Sequence, residues 1–105
     1  MSSFAFVFRA SSDLSPEDLA RRNAAARDWA LARQADGALQ LPAPFEGAGA
    51  IVSSAGTAPI SDLASVLVID APDLDAALAL ARSHPGLAFG TTIEVRPIKA
   101  TPPAR

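Results

Sequence analysis

The sequence predicts an α+β fold whose elements follow the order strand, helix, strand, strand, helix, strand. The chain has 105 residues, 50% of them hydrophobic, which is the size and composition of one globular domain. Residues 4–9 and 64–69 are rich in aromatic and β-branched side chains, which favour strands. Residues 16–35 and 74–81 carry apolar side chains at helical spacing, which predicts two helices between the strands.

The first helix has a well-marked start. Ser15 is the predicted N-cap because its hydroxyl can accept a backbone N–H, and Pro16 suits the first helical position. Two acidic residues follow and complement the positive end of the helix dipole. We expect the helix to run to about residue 35, with one side formed by Leu19, Asn23, Ala26, Ala30 and Arg33 and with Trp29 beside it.

The middle of the chain is less regular. A second strand is expected at residues 50–53, because the prolines and glycines of residues 42–49 exclude a long central strand there. Residues 54–59 are predicted to form a turn region. Residues 64–69 then form the third strand, which is apolar throughout its second half.

The chain closes with a helix, a strand and a tail. Asp70 or Asp73 is the predicted N-cap of the second helix, which stops at the His-Pro-Gly sequence of residues 84–86. The last strand is expected at residues 91–97. Two prolines follow, so the predicted bounds are 1–98 for the domain and 99–105 for a disordered tail.

This order of elements is the split βαβ, or ferredoxin-like, arrangement, in which both helices pack on one face of an antiparallel sheet. The first and third predicted strands are apolar on both sides, although a sheet face that meets water normally carries polar residues. We therefore expect the helix-free face to pair with the same face of a second copy, giving a homodimer. The alternative is that the tail or the proline-rich loop covers this face.

Composition excludes several kinds of site. The net charge is −2 and no basic stripe is present, so nucleic acid is not an expected partner. With no cysteine and one histidine, the chain is expected to hold no metal ion and no cofactor. No basic leader and no run of about 20 apolar residues occur, which predicts a cytoplasmic protein rather than a membrane protein.

Several segments match the pattern of a known group of proteins. They are FVFR in the first strand, SPEDL at the start of the first helix, Trp29, and above all SVLVIDAPDLDAALALARSHPGLAFGTTIEVRPI at residues 65–98. Through them the chain resembles the YCII-related (DGPF-type) family of small bacterial proteins over residues 4–98. The resemblance implies the dimeric α+β barrel fold. Related barrels include monooxygenases, isomerases, decarboxylases and ligand-sensing domains, so the resemblance does not select one function.

The chain departs from that family in two places. The Asp-Gly-Pro-Phe segment that gives the family its name is absent, and residues 56–60, GTAPI, stand roughly in its place. One branch of the family has a histidine and an aspartate proposed as an active-site pair, with the histidine early in the chain. Here no histidine precedes His84, so that pair is not carried over.

His84 and Asp28 are the candidate catalytic residues. The imidazole of His84 can act as an acid or a base near neutral pH. The structural alternative is that His84 satisfies the terminal carbonyls of the second helix and interacts with its dipole. Asp28 can act as a base or as a hydrogen-bond acceptor beside Trp29.

Four residues are candidates for ligand binding. Trp29 either lines a cleft or is a core anchor whose N–H finds one partner. Glu94 and Arg96 share one side of the last strand, where they either bind a polar ligand or form an ion pair worth under about 1 kcal/mol. Phe45 lies in the irregular loop, where it can form the rim of a binding site.

Three functions follow from these candidates. The first is a YCII-related protein that binds a small organic molecule between the sheet and the first helix or across the dimer. The second is a cofactor-free enzyme on the same fold that transfers protons with His84 or Asp28 as the base. The third is a structural dimerisation module that uses only the sheet face.

Overall fold

The computed structural model describes residues 2–10, 13–44, 50–59 and 63–99. The strands and helices within these ranges are β1 (Ser2–Arg9), α1 (Pro16–Ala35), β2 (Leu39–Pro44), β3 (Ala50–Ser53), β4 (Gly56–Pro59), β5 (Leu63–Ala71), α2 (Leu74–Arg82), a 3-10 helix (Pro85–Phe89) and β6 (Thr92–Pro97). All of the predicted tail except Lys99 lies outside the described residues.

The main sheet has four strands in the order β2, β5, β1, β6, and every neighbouring pair is antiparallel. In this register Phe6 lies opposite Leu67 of β5 and Val95 of β6. Together with the two helices, this order is the ferredoxin-like α+β arrangement that the sequence predicts. The fold prediction is therefore confirmed.

The second strand of the sheet was predicted in the wrong place. It is β2, which pairs with β5 at the edge of the sheet, whereas residues 50–53 form a separate hairpin with β4. A proline costs little on an edge strand, because its missing N–H can face away from the ladder. The predicted turn at residues 54–59 also narrows to two residues, since Gly56, at φ 125°, already begins β4.

Both helices pack on one face of the main sheet, which we call the helix face. Phe4, Phe6 and Phe8 are buried on this face of β1. The buried residues packed with them come from β2, β5 and the two helices: Trp29, Leu39, Leu67, Ile69, Ala71, Ala77 and Ala81. Large side chains fill this layer because it is covered on both sides, so the helix face forms the core.

The opposite side of the sheet, which we call the open face, carries smaller side chains. Ala5 and Val7 of β1 lie beside Val68 and Val66 of β5, and all four are partly buried. Among the residues whose burial is described, none of the core residues lies on this face, and the helices contribute to the helix face instead. The two-sided apolar character predicted for these strands is thus present in the fold.

The helix caps follow the sequence, and the predicted side of α1 is right in the second half of the helix only. Ser15 Oγ accepts the N–H of Asp18 at 3.1 Å, and Asp73 caps α2 by accepting the N–H of Ala76 at 2.8 Å. On α1 only Trp29 is buried, while the predicted side residue Leu19 is 40% exposed. Ala26, Ala30 and Arg33 of the predicted line are partly buried beside Trp29, whereas Leu19 and Asn23 are exposed. Neither helix within the described ranges has the length and hydropathy needed to cross a membrane.

Candidate functional site

His84 lies in the short connection between α2 and the 3-10 helix and is 7% exposed. Its Nδ1 accepts the backbone N–H of Gly86 at 2.9 Å, so the ring caps the start of the 3-10 helix. The structural role predicted from the sequence was different: the side chain of His84 was expected to donate to the terminal carbonyls of α2. That part was wrong: the side chain accepts a hydrogen bond, and the backbone N–H of His84 bonds the carbonyl of Ala81 instead.

Two aromatic side chains hold the His84 ring. The ring centroid lies 4.8 Å from that of Phe8 on β1 and 4.8 Å from that of Trp29 on α1, with interplanar angles of 56° and 65°. Tilted contacts of this kind are favourable between aromatic rings. We call Phe8, Trp29 and His84 the aromatic cluster, and it joins the sheet to α1.

Gly86 closes one side of the aromatic cluster. A Cβ atom at this position would lie 2.9 Å from both Cε1 and Nδ1 of His84 and 3.0 Å from Oγ1 of Thr91. These distances are too short for any residue with a side chain unless the neighbours move. Thr91 is also buried, so the His84 ring is fixed by the backbone on this side.

The protonation state of His84 follows from this environment. Burial lowers the pKa of His84 from 6.5 to about 4, because the imidazolium form loses its hydration. The ring is therefore neutral near pH 7. Since Nδ1 accepts a hydrogen bond from Gly86, the neutral ring carries its proton on Nε2 and can donate there.

The indole N–H of Trp29 has a partner within the fold. Nε1 donates to Oγ of Ser83 at 2.9 Å, and that hydroxyl donates to the carbonyl of Leu80 at 2.6 Å. The guanidinium carbon of Arg33 lies 5.7 Å from the centre of the Trp29 ring, within cation–π range. Ser83 was not identified from the sequence, where nothing marks a serine at a helix end as the partner of a distant tryptophan.

Two of the predicted residues do not join the aromatic cluster. Asp28 is exposed on α1, whereas His84 is buried. Consecutive residues of a helix point about 100° apart, so the burial of Trp29 directs its neighbour away from the core. Phe45 lies outside the described residues.

Glu94 and Arg96 lie on the other side of the sheet from the aromatic cluster. In the β1–β6 register they are opposite Val7 and Ala5, which places them on the open face. Glu94 accepts from Nη1 of Arg9 at 3.0 Å and from Nη1 of Arg96 at 3.2 Å. Arg9, which the sequence did not single out, thus completes a three-residue charged group on the exposed part of this face.

The structure therefore divides the predicted residues into two groups. Trp29 and His84 meet on the helix face, and Glu94 and Arg96 meet on the open face. Among the residues that the structure describes, no three histidine, aspartate or glutamate side chains are close enough together to hold a metal ion. The chemistry available in the aromatic cluster is apolar packing and hydrogen bonding by a neutral imidazole.

Comparison with known proteins gives a match in structure only. No family model matches the chain, and no curated protein does so. Among solved structures the chain is similar to the 5-chloro-2-hydroxyhydroquinone dehydrochlorinase TftG from Burkholderia phenoliruptrix AC1100, solved in complex with 2,5-dihydroxybenzoquinone. The TM-score is 0.58 at 19% sequence identity, over 88% of this chain and 90% of that chain. At this identity, the similarity establishes the fold that the two chains share.

Proposed function

We propose that the chain is a bacterial, YCII-related protein of the dimeric α+β barrel type that binds a small organic molecule between α1 and the sheet. The observation that carries this proposal is the aromatic cluster, in which His84 lies against Phe8 and Trp29 at 4.8 Å from each. The cytoplasmic location and the homodimer expected from the sequence belong to the same proposal.

The aromatic cluster has the chemistry of a site for a flat ring. Small-molecule sites are mostly apolar and aromatic, with a few polar groups that fix the ligand's orientation. Trp29 and Phe8 supply ring surfaces, and the neutral His84 supplies a donor at Nε2. A protonated His84 would bring a charge into this layer, and the low pKa of about 4 keeps that charge absent.

The solved relative supports the same class of ligand. TftG shares the fold at a TM-score of 0.58, and its structure contains 2,5-dihydroxybenzoquinone, a single flat ring. We therefore propose a one-ring organic molecule as the ligand.

The homodimer is proposed to form through the open face. Its centre consists of small apolar residues from β1 and β5, which favours burial against another sheet. Its β6 side carries one carboxylate, Glu94, and two guanidinium groups, Arg9 and Arg96. A contact around a two-fold axis needs a self-complementary surface, and a face with both charge signs meets that requirement.

A cofactor-free enzyme is the second candidate, and the name of the solved relative, a dehydrochlorinase, favours it. In that case His84 or Asp28 would transfer the proton. The pKa of about 4 makes His84 a weak base near neutral pH, and Nδ1 is already used by Gly86. Binding is therefore the better supported role for His84.

Binding can be measured through Trp29, the only tryptophan in the chain. We expect 2,5-dihydroxybenzoquinone to bind one molecule per chain, seen by calorimetry and by a saturable shift of the Trp29 indole N–H resonance. Replacing His84 with Asn should weaken binding about tenfold or more, because one donor and one ring contact are lost. Leu31→Ala is the matched control, since Leu31 is on α1 but 51% exposed. Equal affinity in all three proteins, or no saturable binding at millimolar concentration, would contradict the proposal.

A further inference from the structure

Arg22 has a guanidinium group that is only partly satisfied. The residue lies on the inward side of α1 and is partly buried. Its Nε and Nη2 donate to Oδ1 of Asn23 at 3.3 and 3.1 Å. This acceptor is a neutral amide oxygen and carries no negative charge. Its Nη1 is buried and has no hydrogen-bond partner within the described part of the chain.

The other arginines with assigned contacts differ from Arg22. Four of them form ion pairs with a carboxylate at 2.7–3.6 Å, and these pairs are Arg9–Glu94, Arg21–Asp18, Arg33–Asp36 and Arg96–Glu94. Arg22 has no such pair among the residues described here. Arginine stays charged under all ordinary conditions, so its burial without an anion is unfavourable. Buried polar groups without a partner are uncommon in native proteins, and a bound ligand or ion is one way to satisfy them.

Arg22 is also on the same side of α1 as the aromatic cluster. Trp29 follows it by seven residues, which is close to two helical turns, so both side chains leave the helix in nearly the same direction. Their backbone positions are about 10 Å apart along the axis. Arg22 and the aromatic cluster therefore lie along one side of α1, about two turns apart.

We propose that Arg22 is the anion-binding residue of this site and that the ligand is a small organic anion, with one ring and a carboxylate or an ionised hydroxyl group. This inference rests on the proposed function, because it places the ligand beside the aromatic cluster. The guanidinium fork presents N–H donors in a plane that matches a carboxylate, and charge-assisted hydrogen bonds of this kind are the stronger ones. Binding of the anion gives Nη1 the partner that it lacks.

The test compares two ligands of the same shape, benzoate and benzamide, of which only benzoate is charged. Each is titrated into the 105-residue chain while the Trp29 indole N–H resonance is followed, which detects binding even at millimolar affinity. We expect benzoate to bind about tenfold more tightly than benzamide. In Arg22→Gln the preference should disappear through a loss of benzoate affinity, whereas Arg22→Lys should keep part of it because the charge remains.

Arg21→Gln is the matched control, because Arg21 is the neighbouring arginine, its side chain is 70% exposed and it pairs with Asp18. This variant should keep the preference for benzoate. Equal affinity of the wild-type protein for both ligands would overturn the inference and leave the proposed function in place. If neither ligand binds, the inference is overturned, and the titration with 2,5-dihydroxybenzoquinone decides the proposed function separately. The wild-type comparison needs no variant, so the test holds even if Arg22→Gln fails to fold.

Discussion

The two faces of the sheet use the same strands in different ways. On β1 the helix face carries three buried phenylalanines, while the open face carries Ala5, Val7 and Arg9. The helix face encloses the single histidine as a neutral ring, and the open face keeps its charges exposed as a group around Glu94. The helices exclude water from the helix face, so its side chains are large and apolar and its histidine is neutral. The open face has no helix over it among the described residues, and it carries smaller apolar side chains and exposed charges.

The largest expected effect is on the helix face, at Trp29. Trp29→Ala should lower the free energy of unfolding by about 3–5 kcal/mol, because it removes a buried ring and leaves a cavity beside His84 and Phe8. Urea unfolding followed by circular dichroism measures this loss. Leu31→Ala, on the exposed side of the same helix, should change stability by under about 0.5 kcal/mol. Similar losses for the two variants would remove the distinction between the inner and outer sides of α1.

The second prediction concerns the acid range. The pKa of His84 is about 4 in the folded protein and near 6.5 when exposed, so between these values the unfolded chain binds more protons. The stability contribution of the neutral ring is therefore complete above about pH 6.5 and falls by about 1.4 kcal/mol per pH unit towards pH 4, roughly 3 kcal/mol in total.

The His84→Asn variant separates the pH-dependent stability contribution of His84 from that of the carboxylates. Asn keeps an acceptor for the N–H of Gly86 but does not titrate. Its stability relative to the wild-type protein should improve as the pH is lowered from about 7 to about 4.5. A stability difference that does not change with pH would mean that His84 is hydrated in the folded protein.

A smaller effect is expected at Gly86. Gly86→Ala places a Cβ atom 2.9 Å from the His84 ring and 3.0 Å from Oγ1 of Thr91, so these groups must move. Overpacking of this kind costs about 1–3 kcal/mol. Unfolding in urea gives the cost, and the position of the Trp29 indole N–H resonance reports movement of the aromatic cluster. If the variant is as stable as the wild-type protein, the His84 ring is not fixed by the backbone here.

The sequence predicts the local parts of this structure well. The bounds of α1 and its cap at Ser15 depend on residues within one helical turn, so short patterns are sufficient to identify them. For α2 the same patterns left Asp70 and Asp73 open, and the structure has Asp73 as the cap. The faces of β1 follow from simple alternation, which places Phe6 and Val7 on opposite sides.

The parts that were not predicted depend on long-range contacts. Residues 50–53 have a sequence more typical of a strand than Leu39–Pro44. Leu39–Pro44 nevertheless joins the main sheet, because it pairs with the free edge of β5. The contact of His84 with Trp29 depends on how α1 packs against the connection after α2. The partly buried position of Arg22 depends on how the first half of α1 packs, where the predicted residues Leu19 and Asn23 are exposed instead.

The central claim is that the open face pairs with a second copy of the chain while the helix face binds the ligand. Sedimentation equilibrium at micromolar concentration tests it most directly, using wild-type protein, Val66→Glu on the open face and Val52→Glu on the separate hairpin, where Val52 is 78% exposed. We expect twice the chain mass of 10.8 kDa for the wild-type and Val52→Glu proteins, and 10.8 kDa for a folded Val66→Glu protein. A monomeric wild-type protein, or a Val66→Glu protein that remains dimeric, would contradict the account.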